Sequence, residues 1–410
     1  MAVDLTPLRS SRDYRLLWSG ELVSTIGRQI TVVAVFQQVF EITRSPAAVG
    51  LVGLVQLVPL MLTSIGLGPL IDRVDRRTIV LFTELGFAVS TSVLLAGAIA
   101  GNPPLGLIYG AVAFTAAVSG VASPTRSALV PNLVPMRLLP SAIALHQVMW
   151  NTTLVVGPAL AGVIIARVGF AWAYAVDLIS YTAAVAAVVA MSPQPPRRGE
   201  TESEPQGIAA IREAFTYLRG RRVLQATFIV DLVAMIFGMP RALFPVLARS
   251  QFRRGPEVVG ALFSAVAFGA LVAALTAGWV SGVRRQGRAV LIAVALWGAA
   301  ITAFGLVGNH LVVALLFLAI AGGADVVSAV FRGTILQSSV PDSLRGRLSG
   351  VHILVVTGGP RLGDVEAGLV AQAFTATTSV VSGGIACVAG VALLAIAVPP
   401  FARYRGGTQT

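Results

Sequence analysis

Apolar stretches of about bilayer length recur from one end of this chain to the other, separated by short polar turns. A run of roughly 20 apolar residues crosses a hydrocarbon core as a helix, and few other arrangements bury so much apolar backbone. The stretches fall near 14–40, 47–70, 78–100, 105–124, 141–166 and 168–191. A polar segment follows, and then 223–247, 258–280, 289–308, 311–331, 348–373 and 377–400. Twelve spans are therefore expected, in an all-α membrane protein. Turn signals punctuate them, among them Ser45-Pro46, Asn102-Pro103-Pro104, Gly255-Pro256 and Gly308-Asn309. The short gaps make sequence neighbours antiparallel.

Composition agrees with a lipid solvent. Charged residues make up 12% of the chain, against roughly 25% in soluble domains. The net charge of +12 raises the question of nucleic acid, but its distribution answers it. The basic residues are all arginines, and they cluster in the short loops, where the anionic inner leaflet attracts them. No nucleic-acid partner is expected. With the N-terminus inside, twenty-two arginines fall on the inner side and five on the outer. The positive-inside rule then sets both termini in the cytoplasm of a multi-pass protein of the cell (inner or plasma) membrane. The first fifteen residues lack the apolar core of a signal peptide, so the first span is expected to insert uncleaved. Cys387 stands alone, which excludes an internal disulfide and a thiolate metal site.

The halves are related. Arg126 and Pro135 recur as Arg332 and Pro341, at an offset of 206. The same offset pairs His146 with His352, Gly157 with Gly363 and Gly162 with Gly368. Six spans, a linker and six related spans make a transporter layout, with solute sites expected between repeats near the midplane. The expected domains are residues 1–191, a linker of 192–222 and residues 223–410. The linker opens with a Pro- and Glu-rich tract expected to be disordered. It continues with Ile208, Ile211, Phe215 and Leu218 on one helical face, an amphipathic helix expected on the inner membrane surface.

Three motifs carry a family likeness. The loop after span two reads Gly68-Pro69-Leu70-Ile71-Asp72-Arg73-Val74-Asp75-Arg76-Arg77. It resembles the signature loop of the major facilitator superfamily, with Asp75 where that family has glycine. Span five holds Thr153 to Gly162, with Gly157-Pro158 and Gly162 at its centre. It is similar to the antiporter motif of superfamily exporters, with Thr153 and Ala161 in place of glycines. The stretch from Asp231 to Pro245, with Arg332-Gly333-Thr334-Ile335-Leu336-Gln337, resembles the branch that holds enterobactin, multidrug and macrolide exporters. The resemblance covers nearly the whole chain. It implies two pseudo-symmetric six-helix bundles and a cytoplasmic gate loop built on Gly68, Asp72, Arg73, Arg76 and Arg77, anchored by Arg126 and Arg332. In the equivalent loop of the second half, Gly278 to Arg285, the acidic residue is missing.

Charges inside spans are the functional candidates, because each costs about 2.5–3.5 kcal/mol or more unless paired or hydrated. Glu21 and Arg28, seven apart, share a helix face. Asp231 is the first choice for a protonatable carboxylate, with Arg241 farther out on the same span. Span eleven carries Arg361, Asp364 and Glu366 among four glycines; Arg361 and Asp364 are spaced to pair along the helix, and Asp364 is expected in a cavity. Asp325, Glu84 and Asp177 are secondary candidates. His146 and His352 could titrate as a pair, or serve as capping and loop contacts.

The expected activity is export of an amphipathic drug or siderophore-like small molecule, driven by a proton gradient, by a monomer with no cofactor and no metal. Proton-coupled uptake and lipid flipping on the same fold are the alternatives. No enzymatic signature is present: there is no nucleophile elbow, no His-Glu-x-x-His and no phosphate-binding glycine loop.

Overall fold

The computed structural model describes residues 4–67, 74–195 and 208–406. We number its principal helices α1 (Arg12–Thr43), α2 (Pro46–Gly66), α3 (Arg76–Ile99), α4 (Leu105–Leu133), α5 (Leu139–Val168) and α6 (Phe170–Val189). Next come a short α7 (Ile208–Leu218) and a broken helix, α8 (Arg222–Phe237) and α9 (Phe244–Ser250). The last five are α10 (Pro256–Thr276), α11 (Gln286–Leu306), α12 (Leu311–Ser339), α13 (Asp342–Ala373) and α14 (Ala376–Ala397).

Ten helical stretches among the described residues are long and apolar enough to cross a membrane, with α8 and α9 counted as one. Helices α1 and α13 are the longest, at 32 residues each, and make twelve. They miss the apolar threshold for one reason: they carry charge. Glu21 and Arg28 lie in α1, and Arg361, Asp364 and Glu366 lie in α13. The two most polar spans are the first and eleventh, where sequence placed most of the candidate residues.

The chain divides into two compact units, Met1–Ile42 with Val55–Gly207, and Thr43–Leu54 with Ile208–Thr410. Within the first, α1 packs on α6 where Gly20 and Gly27 leave no room for a side chain against Ala184, Ala187, Asp177 and Ser180. Helix α5 approaches α1 at Gly157, where a Cβ would strike Gln29. Lipid supplies no hydrophobic drive to bring helices together, so close backbone approach at small residues does this work. Pro158 follows inside α5, and the buried Thr153, Ala161 and Gly162 keep that face flat. A core of the first unit gathers Tyr14, Leu17, Val80, Leu129 and Leu145, and the Tyr14 hydroxyl donates to the Ala142 carbonyl at 2.9 Å. At the exposed N-terminal segment, Asp4 accepts from the Thr6 amide and hydroxyl and from Ser141, and those bonds lower its pKa.

The second unit is built on the same device. A Cβ on Gly269 would meet the Ala319 carbonyl, and one on Gly322 the Val266 carbonyl, so α10 and α12 lock reciprocally. Helix α7 forms where the sequence places it. Its Ala214 and Leu218 are buried in a cluster with Leu224, Phe228, Leu336, Val340, Leu348 and Val351. Part of the face expected to meet lipid headgroups is therefore covered by protein, and Phe215 remains exposed.

One span departs from a continuous helix. After Phe237 the chain breaks at Gly238–Pro240, makes a tight turn over Arg241–Leu243 and resumes as α9. Pro240 supplies no N–H, and the freed groups find other partners. The Gly238 carbonyl accepts from the Trp297 indole at 2.8 Å, and the Ala242 amide donates to Asp364 at 3.2 Å. A side chain at Gly238 would collide with that indole.

Because Gly322 meets backbone rather than a flexible side chain, Gly322→Leu cannot be absorbed by a rotamer change. We expect the variant to lose its monodisperse peak in fluorescence-detected size exclusion, whereas Gly333→Leu, which meets nothing within 4 Å, keeps it.

Candidate functional site

The intramembrane charges gather into three clusters, one in the first unit and two in the second. In the first, Arg126 of α4 bonds Glu84 of α3, and its other terminal nitrogen stands 3.8 Å from Glu21 of α1. His146 of α5 faces the same carboxylate, Nδ1 to Oε2 at 3.7 Å. All three ion-pairing residues are buried. Phe87, one helical turn after Glu84, carries two guanidiniums on its ring: Arg28 at 5.0 Å and Arg126 at 6.0 Å.

Deeper along α1, Arg28 donates to Thr25 at 2.6 Å. Asp177 of α6 is fully buried and accepts from Thr31 at 2.5 Å and Thr91 at 2.9 Å. Two hydroxyls thus take the place of a cation in holding Asp177, and Arg28 acts on it only through space.

The second unit repeats the first arrangement. Arg332 of α12 forms an ion pair with Asp231 of α8 and stands 3.7 Å from Asp325 on its own helix. Asp231 is 1% exposed and Arg332 3%. His352 of α13 lies edge-on to Phe228 at 6.1 Å and within the electrostatic reach of both Asp231 and Arg332. Each half therefore sets an arginine of its fourth long helix against a carboxylate of its first. Each also brings a histidine of its fifth into the same field. The 206-residue offset between Arg126 and Arg332, and between His146 and His352, reads out as equivalent chemistry.

The third cluster sits at the helix break. Asp364 accepts from the Arg241 guanidinium at 3.2 Å and from the Ala242 amide. Arg361 turns instead to the Thr357 carbonyl one turn earlier, at 2.5 Å. The pairing expected between Arg361 and Asp364 is thus replaced by one across helices. The reason is the break itself: a turn with an unpaired N–H and an adjacent cation offers a carboxylate more than a neighbour on the same helix does. Glu366 is half-buried, two residues on.

One expectation is corrected. The apolar runs near 105–124 and 311–331 put Arg126 and Arg332 at span ends, and they do not stand at the ends of their helices. Helices α4 and α12 run on to Leu133 and Ser339, so each arginine lies seven residues inside its helix, about 10 Å along the axis. Glu84, a secondary candidate in the sequence, is a buried partner of Arg126.

Of the gate loop, Gly68, Asp72 and Arg73 lie outside the described residues. Its remaining part is a set of helix-end bonds. Asp75 caps α3, accepting from the amides of Arg77 at 2.8 Å and Thr78 at 3.3 Å. Its second oxygen takes the Gln194 amide at 2.9 Å. Arg77 donates to the carbonyls of Val188 and Val189 at the end of α6, and Arg76 to that of Ala128 in α4. The Arg77 and Thr78 amides and the Val188 and Val189 carbonyls are the groups a helix terminus leaves without partners. The residue that departs from the signature pattern is the one that fastens the loop. A cavity of about 390 Å³ opens nearby between α2, α3 and α4, lined by Leu67, Val74, Phe82 and Val118 among others, and none of the candidate charges among the described residues lines it.

With this geometry in place, comparison with known proteins is decisive on one point. Residues 2–404 match the family described as transmembrane secretion effector, within the major facilitator superfamily. The chain belongs to that family. It is a multi-pass secondary transporter and not an enzyme. The enterobactin exporter EntS of Citrobacter koseri is 24% identical over 407 residues, which cover 98% of this chain and 96% of that one. EntS of Shigella boydii serotype 18 is 25% identical over 413 residues with the same coverage. Among solved structures, a POT family transporter in complex with 5-aminolevulinic acid superposes with a TM-score of 0.76 at 12% identity, covering 95% of this chain and 97% of that one. A bacterial homologue of the human lysosomal transporter Spinster gives 0.71 at 15% identity, covering 95% of both. These likenesses establish the twelve-helix facilitator fold.

Breaking the buried Asp231–Arg332 pair from one side leaves an uncompensated charge, at about 3–5 kcal/mol. Arg332→Met is therefore expected to lower the thermal midpoint of the purified transporter sharply. Adding Asp231→Leu to it should restore most of the loss, and a double-mutant cycle of melting curves measures the coupling.

Proposed function

We propose that this transporter is a proton-coupled exporter of amphipathic drugs or siderophore-like small molecules. The observation that carries the reading is the repeat-related pair of ion clusters, each built on a buried arginine, Glu21–Arg126–Glu84 and Asp231–Arg332–Asp325. A carboxylate beside an arginine is held ionised, and in apolar surroundings without one it takes a proton. A rocking motion that brings each acid to its arginine and away again therefore binds and releases H⁺ with each cycle. Asp231 leads this scheme in the second unit and Glu21 in the first, with Asp325 and Glu366 as further proton holders. Arg28, Arg241, Arg361 and Asp364 contribute to the solute site.

Protonation from outside favours release of the solute there, and loss of the proton to the inside resets the site. The Gly157-Pro158 segment and Gly162, where α5 approaches α1, serve the exporter branch as a pliable joint. Gly68, Asp72, Arg73, Arg76 and Arg77 form the inner gate. The protein works as a monomer in the cell (inner or plasma) membrane, with both termini in the cytoplasm and the proton gradient as its driving force. Its bundles comprise residues 1–191 and 223–410, joined by 192–222. Export rather than uptake is supported by the relatives, which are enterobactin exporters, and by the partial antiporter motif.

Asp231→Asn tests this directly. In proteoliposomes of known orientation, it is expected to abolish solute movement driven by an imposed proton gradient, at matched amounts of folded, incorporated protein and with a melting temperature below wild type. Wild-type flux in that variant would remove Asp231 from the coupling, and solute accumulation on the proton-rich side's opposite face would turn export into uptake.

A further inference from the structure

Of the three intramembrane clusters, the one at the helix break alone sets more positive groups than negative ones together. Arg241 bonds Asp364, and Arg361, one turn before Asp364 on α13, stands within electrostatic reach of both. That carboxylate is already committed. Its oxygens take the Arg241 guanidinium and the Ala242 amide, and its side chain is 2% exposed. Other acids on the helices around it do not redress the balance. Asp231 of α8 is taken by Arg332, and α14 carries no charge at all. Glu366 on α13 is two residues from Asp364, about 200° around the helix. Glu213 of α7 belongs to the far, inner end, where α7 packs with Leu336 and Leu348.

The guanidiniums themselves are not saturated. The Nε atoms of Arg241 and of Arg361 are buried and have no acceptor. The Arg361 bond to the Thr357 carbonyl uses one Nη group of its five-donor fork. Arg241 remains 33% exposed, so the pair is reachable while its carboxylate anchor is sealed. An unpaired buried donor on a charged group is costly, and an uncompensated cation more so. A planar anion that accepts from both forks would remove both costs, as carboxylates and related oxyanions do.

We propose that Arg241 and Arg361 form the anion subsite of this transporter, and that its cargo carries an organic oxyanion. Asp364 is the positioning residue: it holds Arg241 and the turn Arg241–Leu243 while leaving one positive charge for the ligand. The proposal rests on the exporter reading for the word cargo, but binding can be measured without any gradient, so the two can fail separately.

The test is isothermal titration of the purified full-length protein with three probes of one aromatic skeleton, in chloride-free buffer. They are 2,3-dihydroxybenzoate, its neutral methyl ester and the cation dopamine. The benzoate is expected to bind and the other two to bind at least about tenfold more weakly. Arg361→Gln is expected to weaken benzoate binding by about tenfold or more, with Arg361→Lys intermediate and the ester unaffected by either. Melting curves certify that the variants are folded, and if Arg361→Gln does not fold, Arg361→Lys carries the comparison. Equal or tighter binding of the ester or dopamine overturns the proposal, as does unchanged benzoate affinity in the folded variants. Absence of benzoate binding at millimolar concentration overturns it too. Displacement by chloride at equal concentration would reassign the pair to an inorganic anion and equally overturn it. A positive result combined with no proton-driven flux would keep the subsite and sink the coupling scheme.

Discussion

Keeping full charges inside helices that face hydrocarbon is the constraint from which the rest of this structure follows. An isolated carboxylate or guanidinium there is expensive, and the molecule meets the expense by pairing across helices rather than along them. Glu21, Glu84 and Arg126 come from three different helices of the first unit. Asp231 and Arg332 come from two of the second. Such pairs demand that helices lie close, and Gly86 of α3, where a Cβ would meet Val118 of α4, allows it between the helices of Glu84 and Arg126; glycines at 20, 27, 157, 269 and 322 bring other neighbours of the same helices together. Close packing and ion pairing are thus one design. The small residues bring the helices near enough for the charges to meet, and the charges specify which helices meet.

The same constraint separates residues that hold the fold from residues free to act. Asp177 is fully buried and one of its carboxylate oxygens is held by two hydroxyls, which suits an architectural post. Asp364 is occupied by a backbone amide and a guanidinium at a break that would otherwise expose both. Asp325, by contrast, meets Arg332 only at 3.7 Å with its side chain a third exposed, and Glu366 is half-buried. The loosely held acids and the repeat-related pairs are where a change of protonation has somewhere to go.

Much of this was legible in the residues. Span number, the weak repeat and the charged character of spans one and eleven follow from apolar run length and from the cost of charge in lipid. The positions of Arg126 and Arg332 did not, because a run of hydropathy fades before its helix ends; α4 and α12 continue past Pro131 and Gln337 into polar sequence. The partners of Asp364 were hidden for another reason. Spacing suggests Arg361, three residues away, whereas the actual donors sit more than 120 residues earlier on a turn created by Pro240. Periodicity sees along a helix, not across a break. Asp75 carried a local signal, an Asp two and three residues before the amides it accepts from, which reads as a helix cap once the family pattern is set aside. Phe87 stood one turn from Glu84 and could have been marked by that spacing alone.

The bond between Trp297 and the Gly238 carbonyl gives the molecule an optical probe of its own. The indole is 2% exposed, and its hydrogen-bonding end rests on the point where the seventh span is interrupted. Emission from that ring is sensitive to whether the N–H has an acceptor, so any straightening or further opening of the break registers as a colour change in intrinsic fluorescence. Four other tryptophans, at 18, 150, 172 and 279, can be replaced by phenylalanine to leave this one reporter. The joint between the two half-helices then announces its own state without a label.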